Sequence, residues 1–231
     1  MDALFGLLLA LVLGVVTWCV ASEGAWGATL TFLCVLFAGL LTMNFFEPLA
    51  AMIEDSGGSF LAPFADLIAF MGTFGVLTFL ARMATEQISP VDIELDARLY
   101  QATRWVFAVA TGYISMAIVL TAVHTSPLPR EFIGFSPEKR NFFDISAPDR
   151  QWLGFTQHVS EHVLSAGRIF DGPVWDVPGA EQKVWPSFAI RYATRREGLA
   201  TGTVRKPAAA GIPGGGGGSG GGPAPGPPPA F

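Results

Sequence analysis

The sequence predicts an all-α membrane protein, with four transmembrane helices followed by a partly ordered C-terminal extension that contains an amphipathic helix. Three observations predict it. Four hydrophobic stretches, Ala3 to Ala21, Trp26 to Met43, Phe60 to Ala81 and Leu99 to Val123, come close to the length needed to cross a hydrocarbon core of about 30 Å at about 1.5 Å per helical residue. The first two carry no charge, the third carries only Asp66, and the fourth keeps Arg98 and Arg104 at its entrance, its uncharged part beginning after Arg104. Leu30 to Met43 is apolar or small almost all round, where a helix of a soluble bundle would show a polar stripe. In lipid every backbone N–H and C=O must be satisfied internally, and runs this continuous suit helices better than the alternating strands of a barrel.

The charge balance separates two halves. Residues 1–123 hold 3 basic and 10 acidic groups, and residues 124–231 hold 11 basic and 9 acidic, so −7 and +2 give the net −5. That balance excludes a basic nucleic-acid binder. Cys19 and Cys34 both fall inside spans, where they read as small polarizable packing residues, not as a disulfide or a metal site.

The first span ends in small residues at Ala21 and Ser22, as a secretory signal does. Only Asp2 and the α-amino group precede its apolar run, however, so it reads as an uncleaved anchor. Ser22 to Ala25 separates the first two spans, and Gly24 supplies the φ > 0 conformation that a tight turn between antiparallel helices requires. The second connection, residues 44–59, opens with Phe45, Phe46, Glu47 and Pro48, an aromatic, proline-marked exit into the headgroup region. Pro63 suits the first turn of the third helix, which sets Asp66 near the positive end of its dipole and close to the headgroups, while Arg82 at the far end snorkels to water. The third connection, residues 82–98, is short and acidic.

Pro127 and Pro129 stop the fourth helix, and an extension over residues 124–198 follows. Ser146 and Asp149 have the spacing of a capping box. Trp152, Phe155, Val159, Val163, Ala166 and Phe170 then recur at helical intervals, a stripe suited to packing on the bundle or to lying in the interface. Residues 199–231 form a Gly/Pro-rich tail that buries too little apolar area to offset its ordering entropy, and disorder is expected there. Arg82, Arg98 and Arg104 favour a cytoplasmic third connection with both termini outside, against the opposing pull of Arg130, Lys139 and Arg140.

The candidate functional residues are Asp66, Glu47, His158, Glu161 and His162. His158-Val159-Ser160-Glu161-His162 has the H-x-x-E-H spacing of inverted zinc peptidases, in which two imidazoles share a helix face and a glutamate activates water. No partner segment offers a third ligand. On the amphipathic helix the histidines border the apolar stripe and Glu161 faces the solvated side, so the structural reading is preferred. Asp66, the one carboxylate within a span, is the candidate for proton or cation handling. A transporter presents several such groups, and interfacial anchoring is the reading favoured here. Small residues at Gly6, Ala10 and Gly14, and at Ala108 and Gly112, allow close helix approach within the chain or between copies. The glycine run near the C-terminus is not followed by the lysine and helix of a phosphate loop.

The two-span hairpin, the second pair of spans and Asn44-Phe45-Phe46-Glu47-Pro48-Leu49-Ala50 resemble the colicin V production protein (CvpA) family. Bacterial members that carry a tail similar to Pro137-Glu138-Lys139-Arg140 and to residues 147–155 are the nearest in kind, and the resemblance covers roughly residues 1–165. The chain departs from the family pattern at Glu23-Gly24, where an arginine-glycine pair is common, and at residues 96–112, which lack the usual repeated glycines. The resemblance implies a small multi-pass protein of the bacterial inner membrane, linked to colicin V production or export and to envelope maintenance, with no catalytic residues and no cofactor. Its expected partners are the lipid bilayer and either further copies of itself or other envelope proteins, not nucleic acid.

Overall fold

The computed structural model describes residues 2–56, 61–88, 96–128, 132–136, 140–163, 188 and 192. Its helices are α1 (Asp2–Ser22), α2 (Gly24–Ser56), α3 (Ala65–Ile88, entered through a 3₁₀ turn at Ala62–Phe64), α4 (Ala97–Thr125) and α5 (Pro148–His158), which runs on into a π-helical turn at Val159–Val163. The first four are each long and apolar enough to cross a membrane, and the chain is an all-α membrane protein. Leu7, Leu11 and Trp18 on α1, Phe37 on α2, Val76 and Phe79 on α3 and Val106 on α4 are exposed, forming an apolar outer surface of the kind that acyl chains cover. The expected tail at residues 199–231, the stripe positions Ala166 and Phe170, and Arg130 and Lys139 lie outside the described residues.

Twenty residues of helix cover about 30 Å and lead from Glu23 back along α1 to Ala3, from Gly24 along α2 to Asn44 and from Arg104 along α4 to His124. α3 is offset along α2: Thr85 Oγ1 lies 3.9 Å from Cys34 Sγ and the Phe70 ring 5.1 Å from that of Phe46, and the Arg82 side chain still reaches Glu23.

α4 lies between α1 and α2, and α3 packs on the other flank of α2, with only slight contact between α1 and α2 or between α3 and α4. Lipid supplies no hydrophobic drive between helices, so close approach has to do the work. At Gly112 an added Cβ would sit 2.8 Å from the Leu13 carbonyl oxygen of α1, and the adjacent Ala108 is fully buried. That half of the expected small-residue stripe is used within the chain. Gly14 is not: nothing lies within 4 Å of its position. Thr42, Thr111 and Thr121 satisfy their hydroxyls by donating to the carbonyls of Ala38, Phe107 and Ala117, four residues back.

The hairpin turn is tighter than the sequence suggests. Glu23 alone separates α1 from α2, and Gly24 adopts the expected positive φ, +85°. The second connection needs a larger correction, because α2 continues through Pro48 to Ser56 where residues 44–59 read as a loop. Proline removes one helical hydrogen bond. Phe46 and Ala50, on either side of it, are buried in the core, with the Phe46 ring edge-on to Phe70 of α3 at 5.1 Å. Such packing sustains the interrupted helix.

Candidate functional site: a buried pair at the membrane boundary

The most enclosed polar constellation joins α4 to the extension. His124 occupies the last turn of α4, and its Nε2 lies 2.8 Å from Oδ2 of Asp149 in the first turn of α5. The side chains are 1% and 0% exposed. Phe135 stands edge-on to the imidazole at 5.0 Å and to Phe5 of α1 at 5.9 Å, so aromatic rings cover the pair where α1 begins and α4 ends.

The local sequence explains the placement of Asp149. Pro148 begins α5 where a missing N–H costs nothing, and an acid next to it faces the positive end of the helix dipole. The expected capping box does not form. Ala147 is the N-cap, and its methyl has nothing with which to cap; the Asp149 carboxylate is directed to His124, and Ser146 is held in a backbone bridge with Phe142.

The expected apolar stripe is also corrected. Trp152 and Val159 are buried, whereas Phe155 and Val163 are exposed, and the buried face runs instead through Asp149, Trp152, Thr156, Val159 and Ser160. The helix packs on the bundle, with the Trp152 ring against Gly39 of α2 and Ile118 of α4. A Cβ on Gly39 would meet Trp152 Cζ2 at 2.7 Å.

His158, Glu161 and His162 are all exposed. Their rings stack at 4.6 Å, and Glu161 accepts a hydrogen bond from Gln157 at 2.9 Å. Among the described residues no group of three or more His, Cys, Asp or Glu side chains gathers as a metal set. Asp66 lies in the first turn of α3 as expected, and it is buried, only 4% exposed. Glu47 is half-buried on α2 beside Pro48. Cys19 is exposed and Cys34 buried, both as free thiols.

Arg82 does not simply snorkel. It bridges Glu23 at 3.1 Å and Glu86 at 3.0 Å, and Glu23 also accepts from Thr31 at 2.6 Å, so the α1–α2 turn is tied to α3. Sequence reasoning missed the His124–Asp149 pair. The signal available was a histidine closing an otherwise apolar span, a boundary position at which a polar group seeks a partner.

These features define a multi-pass α-helical membrane protein with a docked C-terminal arm. No family description, curated protein or solved structure matches the chain.

Proposed function

We propose that the chain is a non-catalytic, CvpA-like protein of the bacterial inner membrane that supports toxin (colicin V) production or export and maintenance of the envelope. The observation that carries this reading is the arm docked on one face of the bundle by His124–Asp149 and Trp152. A scaffold of this kind presents a fixed extramembrane surface to other envelope proteins or to further copies. Its polar residues hold helices together: Arg82 joins Glu23 to Glu86, and His124 joins Asp149. The test is complementation in a colicin V-producing strain that lacks its own family member. Restored toxin release supports the reading, and no release despite full membrane insertion overturns it.

A second reading, a small channel or transporter subunit, is favoured by the burial of Asp66 within a membrane-crossing helix. It predicts proton or ion flux in liposomes that Asp66→Asn abolishes. Equal flux from both proteins would reject that role. The zinc-peptidase reading of His158, Glu161 and His162 predicts stoichiometric metal that is lost in His158→Ala, and purified protein free of metal after zinc loading would end it.

A further inference from the structure

Two tight turns of the extension seat on the beginning of α1. In one, the backbones of Phe132 and Phe135 exchange hydrogen bonds of 3.3 and 2.9 Å; in the other, those of Phe142 and Ser146 exchange bonds of 3.2 and 3.3 Å. The Phe135 ring meets Phe5, and the Phe143 ring lies against Gly6, where an added Cβ would stand 2.9 Å from its Cδ1 and Cε1. A ring that covers the Cβ position of a helical residue lies on the flank of that helix, not over its end.

The tips of these turns carry residues ill suited to water. Ile133, Phe143 and Asp144 have positive φ, at 51°, 50° and 56°, a conformation that a β-branched or bulky residue rarely takes. Turn tips in water favour Gly, Asn, Asp and Ser for just these positions. Here Phe143 is 42% and Ile145 75% exposed, and Ile133 is exposed as well. On α1, Leu4 and Leu7, which flank Phe5 and Gly6 in sequence, are also exposed, so the apolar surface of the span runs on into the two turns.

The length of α1 decides what covers this surface. Its 21 residues make about 31 Å of helix, so a hydrocarbon core of about 30 Å takes up the whole of it and its two ends fall at the two faces. Gly6 is four residues from Asp2, about 6 Å along the axis, and a side chain on its flank lies in the layer where lipid begins.

We propose that residues 142–146, together with Ile133, form an interfacial anchor that inserts Phe143 and Ile145 among the lipids around the start of α1. Asp144 between them and Arg140 before them are exposed charges, which keeps the insertion shallow, at the level of the headgroups. The exposed polar residues of α5, among them Arg150, Gln157 and Glu161, stay in water. The arm is thus held twice, to the bundle by His124–Asp149 and to the bilayer by the turn. The inference does not depend on the colicin-related reading.

The test uses the full chain in vesicles of phosphatidylethanolamine and phosphatidylglycerol doped with a phospholipid that carries a diazirine close to the glycerol end of one acyl chain. After irradiation, adducts are expected on residues 142–146 and not on Gln157 or Glu161. Adducts on α1 with none on the turn would overturn the proposal, whether water or a second copy of the chain covers the tip. Equal labelling of the turn and of Gln157 or Glu161 would be unselective contact and would overturn it too. Because Ile145 points away from the protein, its substitution leaves the packing alone. Ile145→Asp should lower the turn adducts about tenfold, the factor equivalent to about 1.4 kcal/mol of lost preference for lipid, and Ile145→Leu should keep them. Turn adducts undiminished in Ile145→Asp, with α1 labelled as before, refute the anchor.

Discussion

Asp149→Ala isolates what holds the C-terminal arm to the membrane bundle. The substitution leaves His124, 1% exposed, without the acceptor that now lies 2.8 Å from its Nε2, and the aromatic wall of Phe135 keeps water from replacing it. An orphaned buried polar group costs about 1–3 kcal/mol. At about 1.4 kcal/mol per tenfold, the midpoint of that range raises the open population of α5 roughly 30-fold. Hydrogen–deuterium exchange of the full chain in lipid nanodiscs reads this directly as faster exchange of the Trp152 to Thr156 amides, with the α4 amides around Gly112 serving as the internal standard. Asp149→Asn retains one acceptor oxygen and should lose less. The double variant Asp149→Ala/His124→Ala should cost no more than the larger single change, because the two residues act as one unit. Exchange of α5 that stays within about twofold of the parent, or strictly additive costs, would refute the claim that this pair fastens the arm.

Three further substitutions test the packing. Gly24→Ala forces a side chain into φ +85° and sets its Cβ 2.9 Å from the Tyr100 hydroxyl; a cost of about 1–2 kcal/mol should appear as a lower Tm in detergent, only partly recovered by adding Tyr100→Phe. Gly112→Ala drives a methyl against the Leu13 carbonyl oxygen, a backbone atom with little room to yield, so the yield of an engineered Leu9→Cys/Met116→Cys crosslink between α1 and α4 should fall. Pro48→Ala returns the missing N–H to α2 and removes a penalty of about 3 kcal/mol for proline in a helix interior, which should slow amide exchange over residues 49–56.

The spans were legible because the solvent dictates them: a chain in hydrocarbon must satisfy its own backbone, and little besides a long uncharged helix does so. The Gly24 turn was legible for an equally local reason, the steric freedom of a residue without a Cβ. What escaped notice depends on contacts distant in sequence. The passage of α2 beyond Pro48 rests on Phe46 meeting Phe70, and local signals at Asn44 to Pro48 argue for an exit. Asp149 reads as a capping residue by its distance from Ser146, since nothing in the adjacent residues announces a histidine 25 positions earlier. The rotated face of α5 has a related cause, because Trp152 is fixed by the gap at Gly39 and the other positions follow it. Arg82 taken by itself is a long side chain that seeks water, although its partner Glu23 lies within reach in the α1–α2 turn.

The seating of α1 on α4, with little hold on its neighbour α2, bears on how the protein is made. The opening pair of helices is synthesised before Gly112 and Leu120, so α1 precedes its main partner. A nascent polypeptide halted ahead of Ala97 therefore strands its first helix without a berth, which gives quality-control proteases a recognisable orphan until translation reaches the fourth crossing.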